Sequence, residues 1–351
     1  MRTGKISESI LKRSVLRQIG NHKEEVIKGA GIGEDCAFLS WNSSLSGQAA
    51  GEGAIAVSTQ AFTLPVKNSA YLAVMAAANN LAASGAVPKA VFLSLVLPRE
   101  AEEGLLKELM EQAEKCSREW NIQIAGGHTE VSGAVGIPVI TATVLGAALE
   151  AEPFTKIPFA GKTEDPLNGK PDNMDIVVSK WIGLEGTFII AGEKAEELSR
   201  RYPPGIILGA KESGGYLSVA SEAAIALKSG VYTMHDIRNG GIFGALWEVS
   251  RKIGVGLCVD LKKIPLRQET IEVCEFFDLN PYQLLSGGAL LMAAADGRGL
   301  VKALEEEKIP ACVIGSTNGT NDKIVVNQEE IRYLEPPAPD EIYKLFKEDL
   351  K

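Results

Sequence analysis

Between residues 150 and 173 the hydrophobic pattern of the chain stops, and Pro, Gly, Lys and acidic residues take over (EPFTKIPFAGKTEDPLNGKPDN, residues 152–173). A stretch of that composition buries nothing and reads as a connection between independently folded parts. Its place near the middle of a 351-residue chain matters, because one hydrophobic core rarely serves more than about 300 residues. Two cores are therefore expected, one domain over residues 1–155 and a second over 170–335. A polar helix over 336–351 is expected to close the chain. Both halves mix short strand patterns with helical ones, which makes the expected class α+β.

Charge narrows the function. There are 45 acidic and 36 basic residues, a net charge of −9, and no Lys/Arg stripe interleaved with aromatics, so nucleic-acid binding is not expected. The most apolar stretch, residues 137–149, is too short for the roughly 20 residues that span a bilayer, so no membrane association is expected. The first 20 residues carry charges where a leader peptide needs an apolar centre. Five cysteines, Cys36, Cys116, Cys258, Cys274 and Cys312, are an odd, widely spaced set without C-x-x-C, which fits a reducing, cytoplasmic compartment.

Periodicity predicts an amphipathic helix beginning near Ser7, with Ile10, Leu11, Val15, Leu16 and Ile19 on one face. A strand is expected at 54–58, and then a helix from about Asn68 to Ser84 with almost no polar face, which must be buried. Strand 89–97, helix 102–120 and strands 122–125 and 137–147 follow. The second half reads as strand 175–180, helices near 187–191, 215–228 and 242–251, and strands 257–260, 289–295 and 311–314.

Several turns could carry chemistry. Gly31 and Gly33 lead into Glu34-Asp35, which is either a solvated acidic turn or a pair of carboxylates able to reach a hard cation on substrate phosphates. Gly126-Gly127-His128-Thr129-Glu130 follows a strand, so it is either an ordinary strand-end turn or a place where two glycines admit a ligand. His235-Asp236-Ile237-Arg238-Asn239-Gly240-Gly241 precedes a helix. Its backbone N–H groups could hold an anion beside Arg238, although a capped Asx-Gly turn is the commoner meaning. Gly183–Thr187 and Ser286-Gly287-Gly288 are further close turns. Gly161-Lys162-Thr163 lacks the earlier glycine of a phosphate loop, and the three histidines have no zinc-ligand spacing.

In order and spacing these segments resemble the superfamily of AIR synthase, selenophosphate synthase, thiamine-monophosphate kinase and the hydrogenase-maturation carbamoyl dehydratase. Residues 31–37 (GIGEDCA) are similar to G-x-G-D-D-A-A, Val57-Ser58-Thr59-Gln60 to a strand ending S-T-D, and residues 79–88 (NNLAASGAVP) to N-D-L-A-x-x-G-A-x-P. Gly126–Thr129 resembles G-G-D-T, Gly183–Thr187 resembles G-x-E-G-T, and Met234–Gly241 resembles M-H-D-P-T-R-G-G. The resemblance implies an N-terminal domain that forms a β-barrel across a homodimer, and a C-terminal α/β sandwich domain. It also implies ATP and magnesium as cofactors, with phosphoryl transfer as the chemistry. Gly31, Gly33, Asn80, Gly126, Gly127 and Thr129 would then contact nucleotide. Glu34, Asp35, Gln60, Asn80 and His128 would form the metal shell. Asp35, Asp236 and Arg238 would serve catalysis, on a small-molecule or protein substrate that the sequence does not name.

The departures fall on the metal ligands, since Gln60, Asn80 and His128 stand where three aspartates are expected. An amide can ligate magnesium but adds no charge, and imidazole suits softer ions. Asn239 also takes the place of the usual Arg. The closest pattern is the hydrogenase-maturation protein, which carries a carbamoyl group on a C-terminal cysteine. This chain ends FKEDLK and its last cysteine is Cys312, so that thiocarbamate step is not expected in its usual form. Two readings result: an ATP-dependent, metal-assisted phosphoryl-transfer enzyme that activates an amide or acid oxygen, or a non-catalytic dimeric paralogue that binds a nucleotide or partner.

Overall fold

A computed structural model describes residues 4–41, 53–148 and 173–346. The expected linker, with Gly161-Lys162-Thr163, lies outside the described residues except for its last residue, Asn173. The structure divides into two compact units. Among described residues, one comprises 22–29, 35–41, 53–148 and Phe346; the other comprises 4–21, 30–34 and 173–345.

The first unit is a six-stranded sheet, β1 (Val26–Lys28), β2 (Ala37–Trp41), β3 (Gly53–Phe62), β4 (Ala86–Leu97), β5 (Gln123–Val131) and β6 (Val139–Ala148), in the order β1-β2-β3-β6-β4-β5. Neighbours are antiparallel except β4 and β5. Helix α1 (Ser69–Ala83) lies on one face, and α2 (Glu103–Glu119) packs against it. Nearly all of α1 is buried, because its Ala-rich surface lets the helix approach the sheet on one side and α2 on the other. The apolar residues of α2 (Leu109, Ala113 and Cys116) fall on one stripe and are buried. The sheet is open, so the barrel that the resemblance implies is not formed within this chain's described residues.

The second unit holds a seven-stranded mixed sheet of β7 (Asp175–Ser179), β8 (Thr233–Ile237), β9 (Gly256–Asp260), β10 (Ala289–Ala294), β11 (Ala311–Asn318), β12 (Lys323–Asn327) and β13 (Glu330–Tyr333), ordered β13-β12-β9-β11-β7-β10-β8. Its helices include α3 (Leu184–Glu193), α4 (Pro204–Glu212), α5 (Ala220–Lys228), α6 (Gly241–Ile253), α7 (Gln268–Phe276) and α8 (Gly297–Glu306). The buried face of α6 (Ile242, Ala245, Leu246 and Val249) joins Ile176, Val178, Leu257, Leu291 and Ile314 of the sheet in one core.

Three expectations change. The opening helix is irregular: a short turn at Glu8–Ile10, a π-turn at Leu11–Val15 and a 3-10 turn at Leu16–Gln18, none with a buried residue. With its apolar face left unburied, the segment has little packing to hold it in a regular helix. It clusters with the second unit. The strand expected at 122–125 runs on through Val131, so Gly126–Glu130 is strand, not a turn. Within 336–351, the described residues contain a single 3-10 turn, Glu341–Lys344.

Candidate functional site

In the first unit a line of hydrogen bonds joins three segments that the sequence keeps far apart. Asn80, near the end of α1, donates from Nδ2 to Ser58 Oγ on β3 at 3.0 Å, and Ser58 Oγ donates to the Asp35 carbonyl at 3.0 Å. The thiol of Cys36 donates to the Asn80 carbonyl at 3.4 Å. Ser58 and Asn80 are buried, which favours pairing of their polar atoms. Gln60 lies two residues beyond Ser58 on β3, so it shares the helix-covered face. The structure thus joins the Asp35 backbone to Asn80 through Ser58, with Gln60 on the same face of β3. Ser58 carries no charge of its own in sequence, and its part emerges only where Asn80 and Asp35 meet it.

His128 is not part of that group. It pairs in register with Ser94 of β4, which faces Thr141 of β6 and through it Ala61 of β3, whereas Gln60 aligns with Ala142 and Leu93. Alternation therefore puts His128 on the open face of the sheet, opposite Gln60. There its Nε2 lies 3.3 Å from Glu130 Oε2, both side chains being exposed. Thr129 is also exposed on β5. Gly127 has a structural reason: at φ +149°, a Cβ would sit 1.8 Å from the Leu93 carbonyl oxygen. Gly126 faces the Phe92 ring.

The other functional candidates belong to the second unit. Gly33 stands at φ +74°, where a Cβ would lie 2.7 Å from the Glu248 carbonyl oxygen on α6. That close approach carries Glu34 to 4.0 Å from the buried Nζ of Lys252. Gly31 lies against the Glu34 side chain. The carboxylate of Glu248 accepts from His235 at 3.0 Å and pairs with Lys5. Burial pushes the Glu248 acid up, but these cationic partners outweigh it and hold it down at about 2.

Asp236 is buried on β8. Arg238 makes a bidentate pair with Glu185, at 3.2 and 3.1 Å. Burial works against the charge of Arg238, and Glu185 more than compensates. Gly183–Thr187, read as a turn, is the start of α3, and that is what places Glu185. Of the two readings of the start of α6, the place an anion could take is filled by a carboxyl of the chain itself. Asp340 Oδ2 accepts from the Gly240 N–H at 2.7 Å, and Oδ1 accepts from Leu285 at 3.1 Å and Ile342 at 3.0 Å. Burial outweighs these donors and pushes the Asp340 acid up to about 7. The glycines after Ser286 also serve the protein, since a Cβ at Gly287 would lie 2.3 Å from Glu185 Oε2.

For magnesium, the donor chemistry is decisive. Among the described residues no three of His, Cys, Asp and Glu converge into a metal cage. Asp35 with the amides of Gln60 and Asn80 is a charge-poor oxygen set. It fits only an ion that arrives on substrate phosphates, because magnesium is commonly held by one or two carboxylates plus phosphate oxygens.

Comparison with known proteins places these observations in a family. Residues 33–148 match the family described as AIR synthase related protein, N-terminal domain, and residues 174–327 match its C-terminal domain. The chain is 25% identical over 248 residues to the carbamoyl dehydratase HypE of Rhodobacter capsulatus, covering 70% of this chain and 68% of that one. It is 23% identical over 269 residues to the thiamine-monophosphate kinase of Pyrococcus horikoshii, covering 77% and 76%. Some other curated relatives are matched over only 61–62% of their own length. Among solved structures, the HypE–HypF complex superposes with a TM-score of 0.68 at 18% identity, over 94% of this chain and 100% of that chain. HypE in complex with ATP gives 0.67 at 18% identity, over 97% of each. At these identities the superpositions establish a common fold, and the two domain matches together establish that the chain belongs to the AIR synthase related family.

Proposed function

We propose that this protein is an ATP-dependent, metal-assisted phosphoryl-transfer enzyme that activates an amide or acid oxygen. The observation that carries the reading is the Asn80–Ser58–Asp35 line, which fixes the backbone of Asp35, the acid of the group, to β3 and α1. Support comes from the relatives named as a carbamoyl dehydratase and a thiamine-monophosphate kinase, and from related folds solved with ATP and with AMPPCP. Phosphoryl transfer asks a protein mainly for positioning and charge neutralisation. In this reading Asp35 supplies the charge, Gln60 and Asn80 supply amide oxygens, and magnesium would arrive bound to the phosphates. Asp236 and Arg238 are the substrate-side groups of the second domain, with Glu185 orienting the guanidinium.

A homodimer belongs to the same reading. Strand β5 is an edge strand with exposed side chains throughout its second half, and Phe92 and Val131 are exposed large apolar groups on or beside it. An exposed edge of this kind invites pairing with another chain.

One observation favours a second reading, a nucleotide- or partner-binding paralogue without turnover. The set around Asn80 carries one carboxylate, and His128 is on the other face of the sheet. Calorimetric titration with ATP and ADP, with and without magnesium, followed by a hydrolysis assay, separates the two. The enzyme reading expects micromolar magnesium-dependent binding, about −8 kcal/mol, and turnover that Asp35→Ala abolishes while the circular dichroism spectrum is unchanged. Binding without turnover selects the paralogue. Undiminished turnover in Asp35→Ala would refute the assignment of Asp35.

A further inference from the structure

Lys180 follows the last residue of β7 at φ +53°, a left-handed conformation that glycine adopts freely and a lysine adopts only at a cost. Its side chain is nonetheless directed into the interior of the second unit, with 7% of it exposed. The partners of the ammonium are oxygens. Nζ donates to the carbonyls of Tyr216 at 2.9 Å and Ser218 at 2.6 Å, and it forms an ion pair with Glu222. Asp236 adds its negative charge to the same environment.

Two features show that this cage is built by the fold. Gly288, at φ +103°, approaches the Tyr216 carbonyl so closely that a Cβ would lie 2.5 Å from that oxygen, so the 216–218 turn is seated against the start of β10. The acids are deeply buried as well, Glu222 at 2% exposure and Asp236 at 4%. Two carboxylates so far from water require a cation nearby. Converging backbone carbonyls and carboxylates are the hard oxygen ligands that alkali cations and ammonium accept, and the lysine head group is itself a substituted ammonium ion.

We propose that the oxygen cage formed by Tyr216, Ser218 and Glu222 beside Asp236 is a monovalent-cation site, filled from within by the Lys180 side chain. The ammonium does there what a bound potassium or ammonium ion would do: it neutralises the buried acids and holds the 216–218 turn against β8 and β10. Covalent attachment makes the second domain independent of the cation composition of its surroundings. An ordinary buried ion pair would share the contacts but would not accept a free ion in place of the side chain.

The test is chemical rescue. In Lys180→Gly the new residue suits the positive φ and leaves the cage empty, whereas in Lys180→Met the apolar chain still fills the space. Melting temperatures are read in potassium, ammonium, sodium and tetramethylammonium chloride at equal ionic strength. The expected result is a lowered melting temperature for Lys180→Gly, restored by several degrees and saturably by potassium or ammonium relative to tetramethylammonium. Wild type and Lys180→Met should show no such selectivity, and adding Glu222→Gln to Lys180→Gly should remove it. If Lys180→Gly is recovered unfolded, refolding from denaturant only in potassium or ammonium supports the site. Equal melting in all four salts, equal responses in Lys180→Met, or failure to refold in every salt overturns it.

Discussion

Single residues here show how a motif can have two causes. Gly127 belongs to a segment that resembles a ligand-binding motif, yet the contact that forbids any other residue is with the chain's own Leu93 carbonyl across the parallel β4–β5 pair. Gly127→Ala should therefore destabilise the fold by on the order of 3 kcal/mol, the upper end of the usual cost of a single substitution. Denaturant unfolding would measure it, and the loss should be the same with or without nucleotide. Gly136, by contrast, has open space around its would-be Cβ, so Gly136→Ala is a fitting control. Ser58 makes the complementary point, because a common residue becomes a junction once Asn80 and Asp35 converge on it.

At the scale of elements, Asp340 fastens three segments: the turn before α6, the Leu285 turn and its own 3-10 turn. Its acid is held at about 7 by burial, with the Glu185 charge adding to the shift. A carboxyl whose folded value lies above the unfolded one binds its proton more tightly in the native state. The stability it contributes is thus complete below the unfolded value and is lost as pH rises through about 7. The melting temperature is expected to fall between about pH 5 and about pH 8. In Asp340→Asn, which has no proton to lose, that fall should be shallower, although the variant starts from a lower value for want of one acceptor. Thermal scans across pH, wild type beside variant, check the slope.

For the whole molecule, the free edge of the first unit's sheet matters most. Phe92 is 41% exposed and Val131 is 61% exposed, and β5 offers an unpaired edge among the described residues. If two copies join there, Val131→Glu and Phe92→Glu should each shift the protein from dimer to monomer in light scattering, with little effect on secondary structure. A wild-type protein that is monomeric at high concentration would remove the dimer from the proposal.

The sequence by itself determined the elements whose signal is local. Residues 69–83 carry no polar face, so they had to form a buried helix. Leu109, Ala113 and Cys116 recur at helical spacing and fall on the buried side of α2. The order of the glycine motifs was enough to point to the family, because each motif is contiguous. Tertiary structure decided everything that depends on a partner distant along the chain. Whether Gly126–Glu130 is turn or strand depends on β4 lying beside it. The face on which His128 stands is set by that register and not by its neighbours in sequence. That Arg238 is held by Glu185, 53 residues earlier, appears only in the packing, and the start of α6 could be read as an anion seat until Asp340, 100 residues later, filled it. Periodicity records which side of an element is buried, but not which charge will lie against it, since charges meet through packing between segments that the sequence keeps apart.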